Sequence, residues 1–205
     1  IKPTSGEIFL EGKSLSSLNH KEMRELRKSI QVVFQNPYAA LDPKMTIRDI
    51  LTEPLSIHKI VSKYDYNNEV KRLLNMVGLS ESDMDKFPHE FSGGQRQRIG
   101  IAKAIAVKPK FIICDEPVSA LDVSVQSQIL NLLCELQREI KVSYLFIAHG
   151  LNVIRHVSDK VAVMYLGNIV EYGDVKTVFD ECKHPYTKAL ISSAPIPDPN
   201  RRNNT

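Results

Sequence analysis

Three short stretches carry side chains whose types and spacing could do chemistry together. The apolar run "FIIC" (111–114) ends in two carboxylates, Asp115 and Glu116, followed by Pro117. A second apolar run, "YLFIA" (144–148), ends in His149. Ahead of both, "FSGGQRQR" (91–98) sets two adjacent glycines between a serine and a polar, arginine-rich run. Ser92 and Gln95 have the spacing of a capping box, which marks a helix N-terminus with outward-pointing N–H groups and the positive end of the helix dipole. Gly93 and Gly94 in that first turn would let an anion come close to those N–H groups, as a phosphate does at such sites. Taken singly, each stretch has a plain structural reading: an ordinary cap, a surface carboxylate pair, a structural histidine. Taken together and in this order, they describe a phosphate-binding helix start beside two strand ends that carry titratable groups.

The elements that must position these groups are legible in the flanking patterns. Between the two apolar runs, "VSVQSQILNLLCELQREI" places Val125, Ile129, Leu132, Leu133, Leu136 and Ile140 on one helical face. This is a βαβ unit with parallel strands, so Asp115, Glu116 and His149 are expected at the carboxyl edge of one sheet, where open α/β sheets bind ligands. "IQVVF" (30–34) reads as a strand buried on both faces, and "GEIFLEGKSL" (6–15) as an edge hairpin or meander. The stretch from 36 to 107 is helical, with Val70, Leu73, Leu74 and Val77 on one face, and Pro109 is expected to end its last helix. "VAVMY", the turn "LGN" and "IVEY" (169–172) form a closing antiparallel hairpin. The fold class is therefore α/β: a parallel sheet core with an antiparallel β edge and an inserted helical subdomain at about 36–107. Residues 1–172 read as the main domain and 173–205 as a C-terminal helix and tail, whose end "SSAPIPDPNRRNNT" reads as loosely ordered.

Composition narrows the function classes. With 205 residues, 42% hydrophobic and 25% charged, the chain can bury a sizeable core. Its strongest uncharged apolar stretch, "VSYLFIAHGLNVI" (142–154), falls short of the ~18 residues a membrane span needs. A net charge of +3 without a long basic block gives nucleic acid no footprint. Cys114, Cys134 and Cys182 are odd in number, widely spaced and mostly in apolar surroundings, which suits reduced thiols and assigns them no chemistry.

The chain resembles the ATP-binding-cassette ATPases. "FSGGQRQR" is similar to their signature motif, "FIICDEPVSALD" to the Walker B motif and D-loop, "VVFQNPYAALDP" to the Q-loop, and "LFIAHG" to the switch histidine, in the right order along almost the whole chain. "QNPYAALDP" and "HPYTKALISSAPIPDP" resemble the ATPase subunits of oligopeptide and dipeptide importers, a likeness shared by importers of nickel and other small solutes. The resemblance implies a P-loop-NTPase-like core, ATP and Mg²⁺ as cofactors, and catalytic roles for Glu116, His149 and Gln35. Asp115 and Gln35 would hold Mg²⁺, the former through its water shell, and Glu116 would orient the attacking water. His149 would sense the γ-phosphate. Ser92, Gly93, Gly94 and Gln95 would serve the nucleotide of a second cassette in trans, and Ser119 and Asp122 would line the D-loop at that dimer interface. The implied partners are a second ATPase subunit, two membrane permease subunits and, indirectly, an extracytoplasmic substrate-binding protein, with no nucleic acid. The implied location is the cytoplasmic face of the cell membrane.

Departures from the family pattern are equally visible. The phosphate-cradling loop G-x-x-x-x-G-K-[ST] does not occur in these 205 residues. Gly6 to Gly12-Lys13-Ser14 has five intervening residues instead of four, and the intervening "EIFLE" alternates like a strand. The resemblance implies that the chain begins just downstream of the true loop, and that this segment alone binds ATP poorly, is inactive and is marginally stable. Gly150 follows the switch histidine where an acidic residue is usual, Lys103 stands where arginine is common, and Cys182 stands alone where some peptide importers carry an iron–sulfur tail. A non-catalytic cassette that supplies only the trans signature is the alternative reading. A relative acting on DNA or ribosomes is disfavoured by the short helical middle.

Overall fold

Glu11 and Gly12, with φ of 49° and 78°, turn the chain back between β1 (Phe9–Leu10) and β2 (Lys13–Ser14). Two consecutive residues with positive φ are what a two-residue hairpin turn requires. Gly12, Lys13 and Ser14 therefore belong to a hairpin, and the short 3₁₀ turn Leu15–Ser17 follows them. The computed structural model describes residues 3–193, and the chain divides into two units, Ile1–Ile147 and Ala148–Thr205.

In the first unit, α1 (His20–Ser29) is started by Asn19, whose Oδ1 accepts from the N–H groups of Lys21 and Glu22 at 3.0 Å each. It runs directly into β3 (Ile30–Val33), after which α2 (Pro37–Ala40), α3 (Ile47–Ile57), α4 (Tyr66–Met76) and α5 (Gly93–Ile105) make up the helical middle. Ile47, Leu51, Leu55, Val70, Leu73, Leu74, Val77, Ile99 and Ile101 are fully buried there, as the spacing of apolar residues predicts. Each such side chain contributes roughly 1.5–3 kcal/mol of burial free energy, which sets the helices without any special propensity. The last of these helices stops at Ile105, short of Pro109, and Lys108 takes a left-handed φ of 53° before the proline.

The sheet that carries the candidate site has the order β3–β4–β5, all parallel, with β4 (Phe111–Asp115) in the centre and β5 (Ser143–Ile147) at one edge. Asp115 is in register with Ile147, and Val33 with Cys114. The crossover from β4 to β5 is α6 (Val123–Ile140), which buries Ile129, Leu130, Leu132, Leu133 and Leu136 and ends at Lys141 in a left-handed cap. Only one face of this sheet is covered among the described residues. Val33, Ile112 and Cys114 are buried, whereas Val32, Phe34, Leu145 and Ile147 are 36%, 52%, 48% and 45% exposed. The expectation that "IQVVF" is buried on both faces is thus corrected: alternate side chains of a strand point to opposite faces, and Val32 and Phe34 lie on the open one.

The second unit starts before α7 (Leu151–Val157) and continues with β6 (Lys160–Tyr165) and β7 (Asn168–Asp174), paired antiparallel around Leu166 and Gly167. These two turn residues have φ of 48° and 79°, again a two-residue hairpin turn. α8 (Val175–Asp180) and α9 (Pro185–Ser192) complete the unit, with Pro185 in the first turn of α9, where its missing N–H costs nothing. The Glu171 carboxylate accepts from the N–H groups of Lys183 and His184 at 2.8 and 3.2 Å, which ties the segment before α9 to β7. The tail from Ala194 onward lies outside the described residues.

Candidate functional site

Asp115 is the last residue of β4 and is solvent-exposed, and the chain leaves the strand through Glu116. Glu116 has a φ of 47°, in the left-handed region where a side chain is strained. Its N–H donates to the Ile147 carbonyl at the end of β5 at 2.9 Å. Its carbonyl oxygen accepts from the Ser119 N–H at 3.2 Å and from the Ser119 hydroxyl at 3.1 Å. Both main-chain groups of the glutamate are thereby fixed, which is how strain of this kind persists in a folded chain.

The side chain of Glu116 meets a residue far away in sequence. Gln35, just beyond β3, donates from Nε2 to Glu116 Oε2 at 2.9 Å and to Ser119 Oγ at 3.1 Å. Because a carboxylate only accepts, the amide nitrogen must face it, and the amide oxygen of Gln35 is left over as an acceptor. The parallel pairing of β3 with β4 brings Gln35 and Glu116 to the same sheet edge. Asp122 takes the N-cap position of α6, but its carboxylate makes no capping hydrogen bond.

At the start of α5 the expected capping box is present. Ser92 Oγ accepts from the Gln95 N–H at 3.3 Å, and Gln95 Oε1 accepts from the Ser92 N–H at 2.9 Å. No hydrogen bond among the described residues takes up the N–H groups of Gly93 and Gly94. The two glycines differ in surroundings. A Cβ on Gly94 would come within 2.4 Å of a Val125 methyl on α6, whereas one on Gly93 would make an ordinary 3.4 Å contact with Leu121. Gly94 is therefore demanded by close helix packing within this chain, and Gly93 by nothing in its own unit.

One connection escapes sequence reading altogether. Gln97, 2% exposed on α5, donates through Nε2 to the Phe34 carbonyl at 3.3 Å, one residue before Gln35. The signature-like helix and the strand end that carries Gln35 are joined by this bond. The only clue in the sequence is a polar residue at a position whose helical neighbours are apolar.

The structure thus brings Gln35, Glu116 and Ser119 into one network, with Asp115 and Asp122 on either side in the chain. His149 lies in the second unit, exposed, two residues past the end of β5. A Cβ on Gly150 would make only a 3.5 Å contact with Val153, so sterics do not require glycine after the histidine. Lys103 pairs with Glu53 of α3 at 3.3 Å, a partly exposed single contact that does not need a planar guanidinium. Burial pushes the Cys114 thiol up to about 12, which removes it as a nucleophile near neutral pH.

The donor set suits Mg²⁺ with a nucleotide. Among the described residues no group of three or more His, Cys, Asp and Glu side chains could cage a metal ion. The oxygen donors at this edge include the Asp115 carboxylate and the unused amide oxygen of Gln35, beside the Glu116 carboxylate that Gln35 engages. One or two protein oxygens, completed by waters and phosphate oxygens, are how Mg²⁺ is commonly held. Among the described residues no helix is long and apolar enough to cross a membrane.

Comparison with known proteins gives a consistent result. Residues 1–119 match the family described as ABC transporter, and residues 170–205 match the oligopeptide/dipeptide transporter C-terminal region. The oligopeptide transport ATP-binding protein OppF of Salmonella typhimurium is 52% identical over 205 residues, which is 100% of this chain and 61% of that protein. The chain spans about three fifths of the length of the curated relatives it matches. Among solved structures, cbiO1 of Clostridium perfringens, part of the ABC transporter complex cbiONQ, is similar with a TM-score of 0.78 and 30% identity, covering 88% of this chain and 70% of that one. The ATP-binding cassette MJ0796, bound to ADP and Pi, has a TM-score of 0.71 at 27% identity, covering 85% of this chain and 75% of that one.

Proposed function

The chain belongs to the ABC transporter ATPase family, and on that premise we propose that it is part of the ATP-hydrolysing subunit of an importer of oligopeptides or dipeptides. The observation that carries the catalytic half of this reading is the network at the carboxyl end of β4, where a strained glutamate is held by Gln35 and Ser119. The similarity of residues 170–205 to the peptide-transporter C-terminal region supports the substrate class.

In this reading ATP binds at the carboxyl edge of the β3–β4–β5 sheet, and Mg²⁺ neutralises phosphate charge there. Asp115, through water, and the Gln35 amide oxygen hold the metal. Glu116 orients the attacking water and takes up its proton, and Gln35 fixes the second carboxylate oxygen. His149 contacts the γ-phosphate. The first turn of α5, with Ser92, Gly93, Gly94 and Gln95, offers its free N–H groups to the nucleotide of a second cassette. Ser119 and Asp122 face that partner. The assembly includes two membrane permease subunits, receives peptide from an extracytoplasmic binding protein, and keeps this subunit at the cytoplasmic face of the membrane.

The test is ATP turnover and uptake by the assembled transporter made with the full-length chain. Glu116→Gln is expected to lower turnover by about 100-fold or more and to stop uptake of a labelled dipeptide or tripeptide. Unchanged turnover would favour a non-catalytic cassette that supplies only the trans signature. Uptake of nickel in place of peptide, abolished by the same substitution, would reassign the substrate to a small solute.

A further inference from the structure

We propose that Ser119 is a positioning residue for Glu116, whose hydroxyl locks the glutamate backbone and the Gln35 side chain into one unit. The proposal rests on the catalytic reading of Glu116 given above, and it adds a role for Ser119 within its own chain.

The hydrogen bonds form a closed ring. From the Glu116 carbonyl the path runs to the Ser119 hydroxyl at 3.1 Å, on to Gln35 Nε2 at 3.1 Å, and back to Glu116 Oε2 at 2.9 Å. Each member uses a different hydrogen-bonding capacity. Ser119 donates its one hydroxyl hydrogen to the carbonyl and accepts on a lone pair, and Gln35 spends one amide hydrogen on each partner. The ring also explains how Glu116 keeps a φ of 47° without being glycine. Pro117 has no N–H to contribute. The next residues able to hold the turn are Val118 and Ser119, and Ser119 holds the Glu116 carbonyl twice, by its N–H at 3.2 Å and by its hydroxyl.

Removing the hydroxyl would leave the backbone turn with its N–H bond and Gln35 with its direct bond to Glu116 Oε2, but would take away the second anchor of the Gln35 amide and open the ring. The Glu116 carboxylate would then be held by a Gln35 side chain that is itself less fixed, while Asp115, His149 and the first turn of α5, placed here against the metal and the phosphates, would not change. The loss therefore falls on kcat and leaves KM for ATP in place. A residue that acted only as a contact to the partner cassette would change KM or assembly instead.

The experiment is steady-state ATP turnover by the assembled transporter with the full-length chain. Ser119→Ala is expected to lower kcat about 10-fold with KM changed less than about two-fold, as for loss of a hydrogen bond that serves a charged group. Ser119→Thr, which keeps the hydroxyl, should recover kcat to within about three-fold of wild type. Gln35→Ala combined with Ser119→Ala should lose no more than about two-fold beyond the worse single variant, since both cut the same ring. An unchanged kcat, a loss carried by KM, or losses that multiply in the double variant each overturn the proposal. If the alanine variant does not fold, Ser119→Cys, with a similar volume and a weak hydrogen-bonding group, makes the same comparison. Glu116→Gln serves as the control: if it retains turnover, the catalytic reading fails and takes this proposal with it, whereas if it is inactive and Ser119→Ala is not, the positioning role alone is overturned.

Discussion

The end of β4 and the start of α5 carry the two halves of the candidate site, and they solve opposite problems. At the end of β4 the polar groups are consumed by one another: Gln35, Glu116 and Ser119 form a ring that holds a strained backbone. At the start of α5 the side chains of Ser92 and Gln95 are spent on a capping box, and the N–H groups of Gly93 and Gly94 remain for something else. The first arrangement orients a reactive group. The second leaves a positive helix end open to an anion. On the proposed reading, a single chain thus offers a finished catalytic edge and an unfinished binding edge, as two cassettes sharing their nucleotides would require.

The sharpest way to separate the two halves is to relax the strained one. Glu116→Gly removes the carboxylate and also the left-handed penalty of roughly 1–2 kcal/mol. Turnover is expected to fall by about 100-fold or more, while the melting temperature of the full-length chain stays level or rises. A clear drop in melting temperature would mean that the ring, and not only the backbone conformation, holds this part of the fold. The adjacent glycines provide the next contrast. Gly94→Ala pushes a methyl into Val125 and should cost about 1–3 kcal/mol as an overpacked contact. Gly93→Ala should be neutral or stabilise by up to about 1 kcal/mol, through helix propensity alone, while still reducing turnover by blocking approach to its N–H. Equal melting temperatures for the two variants would break the distinction drawn between them. Ser92→Ala removes the cap and should cost about 1 kcal/mol in thermal or denaturant unfolding. The smallest effect belongs to Lys103→Gln, which loses one partly exposed ion pair with Glu53 and should change stability by less than about 1 kcal/mol, fading further in high salt.

Much of this was readable in the sequence, for a definite reason. Strand-end carboxylates, the Ser92–Gln95 spacing and the apolar face of α4 are local patterns, and local patterns fix local structure. The βαβ unit followed from one apolar helix face between two apolar runs. What the sequence hid depends on partners distant in the chain. Gln35 after a strand means nothing until the sheet sets it against Glu116, 81 residues away. Gly94 looks like a second anion-binding glycine until α6 is seen to press Val125 against it. Gln97 carried no expectation, and its bond to Phe34 depends on how α5 lies against β3. The left-handed φ of Glu116 is invisible in the sequence because the usual marker, a glycine, is absent from that position. The reading of β3 as buried on both faces failed because composition reports what both faces could bury, and only one is covered among the described residues.

The central claim is that the β4 end of one cassette and the α5 start of its partner share one nucleotide, and the most direct test is to divide two lesions between paired cassettes. Glu116→Gln and Gly93→Val are placed either together in one member of the pair or one in each, using the matching motif position where the partner is a different chain, and ATP turnover of the assembled transporter is measured. If the halves act across the interface, the divided pair keeps one intact site and retains measurable turnover, while the pair with both lesions in one member has none. The reverse pattern, with turnover retained when both lesions sit in one member and lost when they are divided, would show that each chain uses its own α5 start and would contradict the account.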